Sequence, residues 1–171
     1  MAEPGVERKY LGRLYEEQFG RPNAAGSAAA LLDDDNARGV IEALGSQGLL
    51  APRDGKIVLT TTGIILAEHE NLAPFDLVSR NHKVREAILV ALADVNAEKG
   101  ADASASIDDI VKRADIEVKE FDQNIELLMD IKWLQAHGLK HYRLALQGLM
   151  VVKGLKLAAE GANRPPAAGA D

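Results

Sequence analysis

The chain has 171 residues, of which 47% are hydrophobic and 27% charged, the profile of a soluble globular protein with one ordinary domain or two small ones. It contains no cysteine, which excludes disulfide scaffolds, zinc ribbons and thiol nucleophiles. A net charge of −6, with three Phe, three Tyr and one Trp, argues against a generic phosphate-coating role or a base-stacking platform.

Tyr10, Leu11, Leu14, Tyr15 and Phe19 mark a first helix, and residues 24–32 read as a short Ala-rich one. Ala37, Ile41 and Leu44 follow at helical spacing in a helix over 34–46 that Gly48 ends. Strands are expected at 49–51 and 56–59. The Asp54-Gly55 pair between them supplies the backbone freedom of a tight turn. Thr60, Thr61 and Thr62 can cap a helix from about Gly63 to Glu70.

Pro74 disfavours helix at Ala73, and polar Ser79, Arg80, Asn81 and His82 follow, so the domain boundary is placed at 71–82. Val84, Ile88, Leu92 and Val95 share one face of a helix that ends near Lys99 and Gly100. Ser106 sits where an N-cap belongs, with Asp108 and Asp109 in the first turn of a short helix through Ala114. A longer helix is expected from about Glu117 to Gln135, stopped by Gly138, and then a strand over 141–146. The last helix runs from near Gly148 to near Glu160. Residues 161–171 are small, Pro/Gly-rich and expected to be disordered.

The halves repeat. At a shift of 90, Ala37, Ile41, Leu44, Gly48 and Leu49 meet Leu127, Ile131, Leu134, Gly138 and Leu139; after the hairpin the shift becomes 85, where Leu59 and Gly63 meet Leu144 and Gly148. Helices leading to an apolar-x-x-x-Gly-Leu step, a small hairpin and then Leu-x-x-x-Gly opening another helix resemble the winged helix-turn-helix superfamily. The carrying segments are residues 41–50 with 57–63, and 131–139 with 144–148. The resemblance covers roughly residues 6–160. It implies a mainly α fold with small β-hairpins (α+β): two winged-helix domains in tandem, 1–75 and 76–160. It further implies a third helix that often enters the DNA major groove and a wing beside the phosphates. Other members, including tandem winged-helix subunits of endosomal-sorting and chromosome-condensing complexes, use the fold to bind proteins.

Charge weighs on that choice. Residues 33–47 carry Asp33, Asp34, Asp35 and Glu42 against Arg38, and residues 117–135 carry Glu117, Glu120, Asp122, Glu126 and Asp130 against Lys119 and Lys132, each leaving −3. A groove-reading helix faces a polyanion, so both are poorly suited to one. Possible nucleic-acid contacts are Arg38, then Arg53 and Lys56 at the first wing, Arg80, Lys83 and Arg85 at the junction, and Lys140 and Arg143 at the second wing. The last helix is apolar on more than one face, which points to dimerisation or partner docking through Leu149, Val152 and Leu155, with Trp133 as a candidate anchor.

Catalysis has no support: His137 and His141 are separated by Gly138, Glu68-His69-Glu70 lacks a second histidine at ligand spacing, and no phosphate-binding or nucleophile-elbow motif occurs. No apolar run is long enough for a membrane span, and the polar start gives no expectation of a secretory signal. The expectation is a non-enzymatic cytoplasmic protein without cofactor or metal. Its leading role is a protein-interaction module, an adaptor or assembly subunit bound to a protein partner or a second copy. A DNA-binding transcriptional regulator is the alternative.

Overall fold

A computed structural model describes residues 4–20 and 34–162. The expected helix at 24–32, Asp33 and residues 163–171 lie outside them. The described residues are mainly helical with two small antiparallel sheets, an α+β chain. They divide into two compact units: those of Met1–Lys83 with Asp122–Glu126, and those of Val84–Phe121 with Leu127–Asp171.

In the first unit, α1 (Pro4–Phe19) precedes α2 (Asp34–Ser46), the hairpin of β1 (Leu50–Arg53) and β2 (Lys56–Leu59), and α3 (Thr61–His69). The hairpin pairs Leu50 with Leu59 and Arg53 with Lys56. Its turn residues, Asp54 and Gly55, have φ of 49° and 73°, the left-handed pair that a two-residue connection requires. Thr60 caps α3 by accepting from the Gly63 amide at 3.1 Å. The core is Tyr10, Leu11, Leu14, Tyr15 and Phe19 of α1 against Val40, Leu44, Leu59 and Ile64.

Helix α4 (Phe75–Lys99) is continuous for 25 residues, and the division between units falls within it, after Lys83. Of the stretch 71–82 where the domain boundary is placed, everything from Phe75 on is therefore helical. Pro74 stands at the cap, where its missing N–H costs nothing, and its carbonyl accepts from the Val78 amide at 3.1 Å.

The second unit continues with β3 (Ala105–Ser106), α5 (Ile107–Ala114), α6 (Val118–Asp130), β4 (Leu134–Ala136), β5 (His141–Leu144) and α7 (Leu146–Ala162). Its sheet has the order β3-β5-β4. Ser106 caps α5 through the Asp109 amide at 3.2 Å. Ile88, Leu89, Leu92 and Val95 of α4 form the core with Ile110, Leu128, Leu134 and Val152. Phe121 meets Tyr142 edge-on, with centroids 5.5 Å apart.

The expected end of α6, the role of Gly138, the shift of 90 and the bounds of α7 are all corrected. α6 ends at Asp130 rather than Gln135, because Lys132 takes the left-handed conformation (φ 63°) and residues 134–136 become a strand. Gly138 (φ 73°) is then a turn residue of the β4–β5 hairpin and does not stop the helix. The shift of 90 fails with it: Lys132, 84 positions after Gly48, takes the place of that glycine (φ 70°). The amide of Leu49 donates to Leu44, and that of Trp133 to Leu128, at the same shift. The shift of 85 for Leu59/Leu144 and Gly63/Gly148 holds through the registers Leu50–Leu59 and Leu134–Leu144. α7 also starts two residues earlier and runs two residues later than the sequence pattern places it.

Candidate functional site

The basic residues are largely engaged. Arg38 on α2 donates to Glu42 one turn on, at 2.8 Å, and that hydrogen bond holds its guanidinium above the ordinary value. Arg53 of the first hairpin pairs with Glu126. Arg143 is half-buried and donates to Gln135 across the hairpin at 3.2 Å. The junction trio separates: Arg80 and Lys83 are exposed on α4, whereas Arg85 is 6% exposed. Lys56 and Lys140 are exposed at the two hairpins.

The outward side of α6 is acidic. Glu117, Asp122, Glu126 and Asp130 are exposed there with Lys119. Its middle, Asp122–Glu126, belongs to the first unit, where Gln123 donates to the Gln18 carbonyl at 2.8 Å and Glu126 holds Arg53. Those side chains are committed to protein contacts. On α2, Glu42 is exposed beside Arg38; the side chains of Asp34 and Asp35 lie outside the described residues.

Around α7, Val152 is 2% exposed and sits in the core, so a charge at this position would strike the interior. Leu149, Leu155 and Trp133 are half-buried. The Trp133 carbonyl accepts from the Ala145 amide at 3.0 Å, tying the hairpin to the start of α7. The residues that face outward are Leu146, Met150 and Leu157, at 78%, 63% and 68% exposure. The sequence reading passed over them, yet their spacing of i, i+4 and i+11 puts them on one helical face and was a usable signal.

A polar network under the first unit was also not foreseen. Glu68 of α3 accepts from the Tyr15 hydroxyl at 2.7 Å and lies 2.9 Å from His82 Nε2; Asn81 donates to the Tyr15 oxygen at 2.8 Å. Tyr15 and Asn81 are buried, so these bonds satisfy groups that are costly to leave unpaired. The network joins residues 53 and 66 positions apart, a pairing that no local pattern encodes.

Other chemistry finds little footing among the described residues. No three His, Asp or Glu side chains gather to hold a metal ion. His141 Nδ1 lies 2.9 Å from the Leu139 carbonyl. A recess of about 330 Å³ beside Phe19, Pro74, Leu77 and Arg80 is open to solvent. No helix among the described residues is long and apolar enough to cross a membrane. No protein-family model, curated protein or solved structure matches the chain.

Proposed function

We propose that this protein is a tandem winged-helix module whose function is to bind another protein, as an adaptor or assembly subunit. The observation that carries the reading is the outer stripe of α7, where three large apolar side chains stand exposed on one face of a helix anchored by Val152. Exposed apolar side chains aligned on a fixed face are the usual mark of a surface that a partner covers. The winged-helix reading is supported by the second unit's order of helix, strand, two helices, hairpin and helix, with its sheet ordered β3-β5-β4. In that reading α2 and α6 are the third helices. The acidic outward side of α6 and the Arg38–Glu42 pair on α2 count against groove reading.

The alternative, a DNA-binding regulator, has exposed Lys56, Arg80, Lys83 and Lys140 to draw on. Titration with random duplex DNA at several salt concentrations decides between them. We expect no binding tighter than roughly the micromolar range at physiological salt. Recovery from random oligonucleotides of one enriched motif bound in the nanomolar range, and lost on Arg38→Ala or Lys119→Ala, would overturn the protein-binding reading. Affinity purification from the native host with nuclease present supplies the positive arm: retained protein should survive nuclease treatment.

A further inference from the structure

We infer that the outer stripe of α7 docks an acidic amphipathic helix of a partner protein, which deepens the protein-binding reading above and rests on it. Leu146, Met150, Lys153 and Leu157 follow one another at i, i+4, i+7 and i+11, all exposed, so they form one line about 16 Å long. That is the length of three helical turns, and an extended line of this kind, apolar but for Lys153, fits the side of another helix. Gly154 flanks the line between Met150 and Leu157, and a Cβ built there meets nothing within 4 Å. The backbone at that point is open to close approach by a helix carrying bulky apolar side chains.

Charge selects the occupant. Residues 146–159, the part of α7 whose side chains are described, carry Lys153 and Lys156 and no acidic residue, Glu160 following at the next position, in a chain whose net charge is −6. Both lysines are exposed. A partner helix with carboxylates beside its apolar stripe complements them, and one with basic flanks is repelled. A second copy fits less well, because an antiparallel pair of α7 helices centred on Gly154 places the Lys153 residues of the two copies only about 3 Å apart along the axis, like charge beside like charge. An anionic membrane fits less well too, since the net negative chain is repelled by the surface that would attract two lysines.

The test is calorimetric titration of the full chain with two synthetic helical peptides of about four turns, each with Leu on one face; one carries Glu beside that face and its twin carries Lys. We expect the Glu peptide to bind at least about fivefold tighter than the Lys twin, with the ratio falling as salt rises. Met150→Glu with Leu157→Glu should abolish binding while helicity by circular dichroism is unchanged. Lys153→Glu with Lys156→Glu should invert the preference, a gain that damaged folding cannot produce. Equal binding of both peptides overturns the inference. So does self-association of the wild type that Met150→Glu abolishes, or binding to vesicles of phosphatidylcholine and phosphatidylserine. If neither peptide binds, yet wild type and the Met150→Glu, Leu157→Glu variant retain the same host protein through nuclease treatment, this inference fails and the protein-binding reading stands. If nothing is retained by either, that reading fails as well.

Discussion

The first hairpin pairs Leu50 with Leu59 and closes over two residues, Asp54 and Gly55; the second pairs Leu134 with Leu144 and closes over three, Gly138, Leu139 and Lys140. At their bases the two are alike. The Leu49 carbonyl accepts from Thr60 and the Trp133 carbonyl from Ala145, each at 3.0 Å, as the chain leaves the hairpin for the next helix. At their tips they part. The first tip is polar, with neighbouring Arg53 tied to Glu126; the second holds Leu139 at 88% exposure beside exposed His137, Lys140 and His141. Repetition is strict where backbone meets backbone, and it lapses where a side chain meets water. The buried half of each hairpin is fixed by hydrogen bonds that admit few alternatives, whereas the tip is free to diverge toward a surface role.

The most severe way to break the shared base is to fill its closest approach. A Cβ on Gly63 would stand 2.2 Å from the Leu49 carbonyl oxygen, and one on Gly148 2.1 Å from that of Trp133. Both oxygens are backbone and cannot swing aside. Gly63→Ala and Gly148→Ala should each cost about 3 kcal/mol, measured by chemical denaturation. Gly45→Ala is the contrast: a Cβ there meets nothing within 4 Å, so the helix should gain up to about 1 kcal/mol. A small loss at only one of Gly63 and Gly148 would show that the two bases are not built alike.

A difference between the units gives a second effect, of similar size. Helix α1 brings the buried Tyr15 hydroxyl between Glu68 and Asn81, while the residues that α4 buries beyond Arg85 are apolar, Ile88, Leu89 and Leu92 among them, with the Asn96 Oδ1 as a buried polar atom. Tyr15→Phe leaves a carboxylate oxygen and an amide short of a partner, and should cost about 1–3 kcal/mol. Leu92→Ala in α4 should cost about 2–5 kcal/mol by cavity formation alone. Phe in place of Tyr15 conserves volume, so a loss there reports the network. Unchanged stability of Tyr15→Phe would remove the network as a reason for keeping a tyrosine at this position.

Much of this arrangement is legible from local signals. The span of α2, the Asp54-Gly55 turn, the Ser106 cap and the 85-residue spacing of Leu59 with Leu144 each rest on a short motif with a local cause. The end of α6 is not legible because a lysine does the work of a glycine. Lys132 at φ 63° stands where Gly48 stands at φ 70°, and Gly138, the nearer resemblance in letters, belongs to the hairpin turn. Of the candidate site, the apolar excess of α7 is visible in sequence, but its division into Val152 inside and Met150 outside depends on the neighbouring elements. The interior position of Arg85 and the Tyr15–Glu68–Asn81 network likewise depend on long-range packing.

Exchanging the two helix-ending residues sharpens the comparison on a finer scale. In the left-handed conformation a side chain costs roughly 1–2 kcal/mol, offset in part by the extra freedom that glycine has when unfolded. Lys132→Gly should therefore stabilise by about 0.5 kcal/mol, and Gly48→Lys destabilise by about 1 kcal/mol. Opposite signs of similar size, read from denaturation midpoints, identify the two positions as one structural site. A destabilised Lys132→Gly would mean that the lysine side chain contributes something other than its backbone angle.

The smallest effect comes from how each unit ties its helices. In the first unit Gln18 of α1 accepts from the Leu59 amide through its side chain at 3.1 Å, and from Gln123 through its carbonyl at 2.8 Å. Those two contacts carry no titrating group, unlike the Tyr15–Glu68 bond of the same unit. In the second unit Arg113 of α5 bonds both Glu98 oxygens on α4, at 2.8 and 2.9 Å, and Asp109 at 2.9 Å. The hydrogen bond to Arg113 holds the Glu98 carboxyl below its ordinary value, and Arg113 in turn is held above its own by Glu98 and then Asp109. A carboxyl depressed on folding stabilises above its unfolded value, and that contribution is lost as pH falls through the lowered one. Glu98→Gln should thus be slightly less stable than wild type at neutral pH. The gap should close as the pH drops below about 4, where the free carboxyl protonates, and should narrow with added salt because the pair is exposed. Equal midpoints for wild type and Glu98→Gln at every pH would show that the ion pair adds nothing to the tie between α4 and α5.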